Sequence, residues 1–347
     1  MEGRSDMQVY PFLFKPIYKE KVWGGRTLEK LGRTLPGGAG TPIGESWELA
    51  DLAQTSVSGG GGGAERSVIA NGPLAGKTFS EVVKKAGADV LGDVKLTEDG
   101  GFPILLKFLD ARENLSVQVH PSPAYAAKHD DAFLKSEAWY ILAADAGAVI
   151  YKGVKPGVTP DQYRKAIEDN TVEELMIAVP VKPGDCHYLP SGTCHALGAG
   201  VLVAEVQTPS DTTYRVYDWG RTGRELHVDQ AMQCITFGPP DVSQYELNTK
   251  LTGAFGPITK LVTCEYFRID RYQAKDAGEH ALAVDQPVVW MVLEGGGTIR
   301  CDGTEVAFKR GQTLFLPPGM QNPVLTVDAD TVWLEVTFPS ARSGKLA

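Results

Sequence analysis

The chain has 347 residues, 43% of them hydrophobic and 22% charged, with a net charge of -9. This is the composition of an ordinary soluble globular protein, long enough for two domains or one large all-β domain with an appendage. An acidic balance argues against nucleic-acid binding, and no apolar run approaches the roughly 18 residues that span a bilayer.

In chain order, Met1–Asp6 lacks the apolar stretch of a secretory signal. The run Gly59–Gly63 reads as a flexible loop, because it lacks the Lys-Ser/Thr and the following helix of a phosphate-binding loop. Apolar residues at helical spacing predict a helix over Phe79–Leu91, capped by Thr78 or Ser80. Short strands are expected at Ile104–Leu109 and Leu115–Val119, helical character over Pro121–Leu134, and another strand at Ala138–Leu142. Thr159–Asn170 opens with a capping residue and a proline at the first helical position, and helical propensity continues over Val172–Met176. Val201–Val206 reads as a strand, Phe237–Pro240 as a boundary and Asp241–Gly256 as a linker. Strands follow at Val288–Leu293 and Thr331–Thr337, and Ser340–Ala347 is expected to fray. Short strands between frequent Gly and Pro form the pattern of a sandwich or barrel. Five cysteines with no C-x-x-C pair read as reduced cytoplasmic thiols.

One unit occurs twice. The segment Gly184–His195 has the form G-x5-P-x-G-x2-H, and Gly311–Asn322 repeats its Gly, Pro and Gly offsets with Asn in place of the final His. The first copy thus carries a metal ligand that the second lacks, which assigns chemistry to the first half.

On a strand, alternate residues share a face, so Ser116, Gln118 and His120 point together. Glu137 opens the next strand, and His195 follows the Pro190–Gly192 turn. Two imidazoles, a carboxylate and an amide oxygen suit Zn²⁺ with a position left for substrate. A lone histidine is more often structural, and His129, His187, His227 and His280 are read so, with His187 expected to face away from the motif. Cys194 adjoins His195, but neighbours on a strand diverge. Arg215 and Arg221 would share a face if their segment were extended, as suits a phosphate or a developing oxyanion, although stacking on Trp219 or Tyr217 explains an arginine equally well. Lys135 would share the face of Glu137. Glu205 interrupts an apolar run, where a carboxylate is expensive unless paired, so it is either an acid/base or an ion-pair partner.

Gly184–His195 resembles the second signature of the cupin superfamily. The segments IGESWEL at 43–49, LKFLDARENLSVQVHP at 106–121, KSEAWY at 135–140, GTCHALG at 192–198 and YRVYDWGR at 214–221 closely resemble type I mannose-6-phosphate isomerases of the shorter bacterial form. The resemblance runs over about residues 10–235, and the C-terminal repeat fits that family's second cupin-like domain. It implies a mainly β fold: a jelly-roll barrel with helical insertions over 1–240 and a metal-free cupin-like domain over 241–347. It implies one Zn²⁺ per chain, bound by Gln118, His120, Glu137 and His195, a catalytic role for Arg215, and sugar-phosphate contacts from Ser116, Lys135 and Arg221. Glu205 matches a pocket carboxylate of the family and is the expected proton carrier, with Glu48 and a water on the metal as alternatives. The implied reaction interconverts D-mannose 6-phosphate and D-fructose 6-phosphate. The partner is therefore a small sugar phosphate, with no nucleic acid or membrane involved. A sugar-phosphate sensor or an iron dioxygenase on the same barrel would be competing readings; the first would lack a ligand or Arg215, and the second would use a more His-rich set. Cys194 and the Gly59–Gly63 loop depart from the family pattern, and the loop is expected to be peripheral.

Overall fold

The structure, a computed structural model, describes residues 7–59 and 61–339. Gly60 and the expected frayed end at 340–347 lie outside the described residues. The fold is mainly β, and every strand pairing is antiparallel. A six-stranded sheet runs Cys186–Leu189, Glu137–Ala144, Val201–Gln207, Leu105–Ala111, Ile17–Gly25 and Ile43–Leu49. A five-stranded sheet runs Met176–Pro180, Val149–Val154, His195–Leu197, Val117–Val119 and Tyr214–Tyr217. The C-terminal strands build most of an eight-stranded sheet and a separate four-stranded one.

The six-stranded sheet is covered on both faces, which explains why all seven residues of Leu105–Ala111 and of Val201–Gln207 are buried. Phe108, Ala204 and Val206 join the large core shared with Val289, Leu314 and Leu334 of the eight-stranded sheet. On the other face Leu109, Trp139 and Val203 form a separate core. The charged residues Lys107 and Glu205 share this second face by strand parity.

The C-terminal sheet also includes strand Phe12–Lys15, which pairs with Thr313–Leu316 and stacks Phe12 on Phe315. Close by, Arg33 grips the buried Glu48 with two hydrogen bonds of 2.7 and 2.6 Å, lies over the Phe108 ring and donates to the Gly311 carbonyl. Glu48 also accepts from Ser46 and Thr313.

Helix Phe79–Ala86 is capped by Thr78 and Glu81 in a reciprocal capping box. Gly87 (φ 50, ψ -118) separates it from the single turn Ala88–Leu91, so the expected continuous helix is broken at the one residue type that tolerates that backbone. Helix Pro160–Asp169 has the expected Thr159 cap, with a short 3₁₀ turn at Val172–Leu175. Two expectations fail. Over 121–134 only Pro123–Ala126 is helical, because the backbone at Phe133 and Leu134 bonds instead to the side chains of Thr208, Ser210 and Thr212. The expected linker over 241–256 contains strand Glu246–Gly253, which pairs with Gly256–Thr263 and is mostly exposed, so no apolar alternation announces it.

The two copies of the repeat place strands at the same offset, Cys186–Leu189 and Thr313–Leu316, after glycines with φ of 94° and 80°. They diverge beyond the proline. His195 begins a strand, whereas Asn322 is exposed at φ 48, ahead of strand Val324–Val327.

Removing Arg33 leaves the Glu48 carboxylate buried without its partner. Arg33→Ala is expected to lower the free energy of unfolding by about 3–5 kcal/mol, read from a urea denaturation midpoint; an unchanged midpoint would mean the pair contributes nothing.

Candidate metal centre and active-site cavity

His120, Glu137 and His195 come from three segments and converge, with their ligand atoms within 4.8 Å of one another, all buried. His195 sits directly opposite Gln118 in register, and its Nε2 lies 3.2 Å from Glu137 Oε1. His120 Nε2 lies 3.5 Å from Glu137 Oε2, and the two imidazole centroids are 4.8 Å apart. Each ring is oriented from behind. His120 Nδ1 bonds the Thr212 carbonyl and His195 Nδ1 bonds the Thr193 carbonyl, both at 2.8 Å. A carbonyl only accepts, so both Nδ1 atoms carry protons and both Nε2 lone pairs face Glu137.

This donor set fits a divalent ion. His120 Nε2 and Glu137 Oε1 are buried without a hydrogen-bond partner, and Glu137 Oε2 meets only the Lys135 ammonium, an expensive arrangement for polar atoms unless a cation satisfies them. Burial, followed by the charge of Lys135, pushes His120 down to about 3, so it is neutral and available as a ligand. Burial alone would raise the Glu137 carboxyl, but the Lys135 ammonium holds it well below its ordinary range. Lys135 Nζ lies 2.8 Å from Glu137 Oε2. Gln118 Nε2 is 3.5 Å from His195 Nε2, and turning the amide over would present its oxygen instead.

Gln118 and Lys135 also line a cavity of about 360 Å³, which adjoins the metal ligands. Ser116, Glu205 and Arg215 line it as well. Glu205 lies in register with Lys107 on one neighbouring strand and Trp139 on the other. It receives Trp139 Nε1 at 2.9 Å and lies 3.3 Å from Lys107 Nζ. Burial and the nearby Glu137 raise its pKa, against Lys107 and Lys135. Arg215 donates to the Glu225 carbonyl at 2.7 Å, while its Nε has no partner. Burial and the charge of Arg224 lower it to about 10.

Several candidates lie elsewhere. Arg221 does not line the cavity; it bonds Asp218 and the Asn114 carbonyl. The strand ends at Tyr217 and Trp219 is left-handed (φ 56), which breaks the alternation that would have aligned Arg221 with Arg215. Arg224, bound to the same Asp218, lines the cavity instead. Glu48 is committed to Arg33 on the other face of its strand. Cys194 bonds the Tyr163 hydroxyl in a separate core, away from the metal ligands. His187 is a correction: it is paired with Trp139 and therefore shares the face of Glu137, but one rung away, because Leu189 is the residue opposite Glu137. The sequence reading missed Lys107, Glu45 and Trp47. Glu45 accepts from Trp47 Nε1 at 2.7 Å, and Lys21 and Lys107, outweighing burial, draw it down to about 2. Lys107 lies over the Trp47 ring, 4.9 Å from its centroid.

A sequence profile described as "Phosphomannose isomerase type I, catalytic domain" matches residues 12–190. The chain is 35% identical over 325 residues to mannose-6-phosphate isomerase ManA of Bacillus subtilis (strain 168), covering 90% of this chain and 95% of that protein. It is 33% identical to the mannose-6-phosphate isomerase of Streptococcus mutans, covering 88% and 92%. The crystal structure of the Bacillus subtilis mannose 6-phosphate isomerase superimposes with a TM-score of 0.81 at 30% identity, covering 95% of this chain and 100% of that one.

If the three converging side chains form one metal centre, His195→Ala should reduce bound divalent metal from about one ion per chain to a small fraction of that. Elemental analysis of the purified, dialysed protein is the measurement, and retention of a full ion would place the metal elsewhere.

Proposed function

The chain belongs to the type I phosphomannose isomerase family, and on that premise we propose that it is a zinc-dependent isomerase interconverting D-mannose 6-phosphate and D-fructose 6-phosphate. The observation that carries this reading is the convergence of His120, Glu137 and His195, with His120 Nε2 and Glu137 Oε1 unpartnered, beside a cavity walled by buried carboxylates and cations. These three residues would hold one Zn²⁺, with the Gln118 amide oxygen as a fourth donor. When bound, the ion supplies a Lewis acid for a sugar oxygen.

The remaining chemistry is proton movement. A proton leaves C2 of the open-chain aldose and returns to C1, while the hydroxyl proton on O2 is lost and one is gained on O1. Atoms balance, and no external oxidant is needed. The carrier must sit in the cavity with a pKa near neutrality. Glu205 meets the first requirement, and its raised pKa moves it toward the second. Trp139 and Lys107 fix its orientation. Arg215 is the cavity cation bonded to a carbonyl rather than a carboxylate, so its charge is free to face the oxygen that becomes negative in the enediol step. Lys107 and Lys135 are each paired with a carboxylate, so they balance buried charge as well as facing substrate. Ser116 and Lys135 belong to the sugar-phosphate contacts, while Arg221 acts by holding Asp218 and, through it, Arg224.

A division at residue 240 into a catalytic and a second unit belongs to the same proposal, as does a cytoplasmic setting. All five cysteines are free, which supports the latter. No described helix is long and apolar enough to cross a membrane.

Two tests follow from the roles. Dialysis against a strong chelator should abolish turnover of mannose 6-phosphate in a coupled assay, and added Zn²⁺ should restore it; full activity in metal-free protein would refute the metal role. Arg215→Ala and Glu205→Gln should each lower kcat on the order of 10²–10³-fold with bound zinc retained, and a wild-type kcat in either would remove that residue from the chemistry.

A further inference from the structure

The glycine-rich insertion is not peripheral. Ser58 and Gly59 line the same cavity as Glu205 and Arg215. Both are held against the short segment Asp211–Thr213. The Ser56 amide donates to Asp211 Oδ1 at 2.7 Å, and the Thr213 amide donates to Ser58 Oγ at 3.3 Å. Gly59 packs so closely that an added Cβ would fall on the Asp211 carbonyl oxygen and stand 2.6 Å from its Oδ2. Its φ is not in the left-handed region, so what position 59 requires is the absence of a side chain rather than an unusual backbone.

The same segment touches the metal centre, since the Thr212 carbonyl orients His120. Asp211 and Thr213 line the cavity, and Asp211 Oδ2 is buried without a partner. Ser58 Oγ uses one lone pair on the Thr213 amide and keeps its own proton; its remaining protein neighbour is the Ser56 hydroxyl at 3.3 Å. Ser58 is half-buried on the cavity wall, so this proton can turn from the Ser56 oxygen to a molecule in the cavity, and a sugar phosphate is made largely of acceptors.

On the isomerase reading above, we propose that Ser58 and Gly59 form one wall of the substrate site. The Ser58 hydroxyl donates to a substrate oxygen, and the close approach at Gly59 sets its distance. The oxygen is either phosphoryl or sugar hydroxyl, and the two are separable.

The test compares zinc-loaded wild type, Ser58→Ala, Gly59→Ala and Gly63→Ala. Gly63 is a fitting control, because a Cβ there meets open space at an ordinary φ. Ser58→Ala should raise KM for mannose 6-phosphate roughly three- to tenfold, with kcat changed less than about twofold. Gly59→Ala should raise KM more, and Gly63→Ala should match wild type. Inhibition by inorganic phosphate then identifies the oxygen: weakened inhibition in Ser58→Ala assigns the contact to the phosphoryl group, and unchanged inhibition with raised KM assigns it to a sugar hydroxyl. Wild-type KM in both Ser58→Ala and Gly59→Ala overturns the proposal. Should Gly59→Ala lose its thermal unfolding transition, Ser58→Ala decides alone. Absence of turnover in wild type would overturn the isomerase reading, and this proposal with it.

Discussion

A buried carboxylate facing two imidazoles and an ammonium is the constraint around which this protein is arranged. Glu137 is fully buried and lies within 3.5 Å of His120, His195 and Lys135. Such a charge would cost several kcal/mol if left uncompensated. The Lys135 ammonium offsets part of that charge, and holding two imidazoles against the same carboxylate requires the six-stranded and five-stranded sheets to meet in a single register. A slip of one residue on any contributing strand would turn its ligand to the opposite face. The carbonyls of Thr193 and Thr212 then fix which nitrogen each ring presents, so ligand orientation depends on two loops as well as on the sheets.

The six-stranded sheet extends the same logic. Its two faces serve different purposes, one apolar against the C-terminal sheet and one carrying charge into the cavity. The strand Ile43–Leu49 illustrates the split. Glu45 and Trp47 turn to the cavity beside Lys107, whereas Ser46 and Glu48 turn to the Arg33 clasp. Alternating side chains therefore let one short motif act both in the site and in the joint that supports it.

Much of the site was legible in the sequence because strand parity and turn chemistry are local rules. They sufficed to put Gln118 and His120 on one face and to mark Glu205 as a carboxylate in an apolar run, whereas joining the first two to Glu137 and His195 as one ligand set rested on the family resemblance. Lys107 satisfies that same criterion, a charge within the apolar run Leu105–Leu109, and it went unread. Parity failed where backbone conformation changes: Trp219 ends the alternation that tied Arg221 to Arg215. It also misled for His187, whose facing depends on cross-strand register with Trp139 rather than on distance from a turn. Helical character over 121–134 was overridden by tertiary hydrogen bonds to residues 208–212. The exposed strand Glu246–Gly253 had no buried face to announce it. The glycine run is a loop, as read, but its first residue lines the cavity instead of lying at the periphery, since composition says nothing about what a loop is anchored to.

The pairing of Phe12–Lys15 with Thr313–Leu316 has a bearing on biosynthesis. A ribosome releases the first of these strands about 300 residues before it makes the second, so the nascent strand waits with one unpaired edge and an uncovered phenylalanine until residue 316 has been made. A chain stopped before Thr313 would lack its first strand's partner as well as the strands that follow.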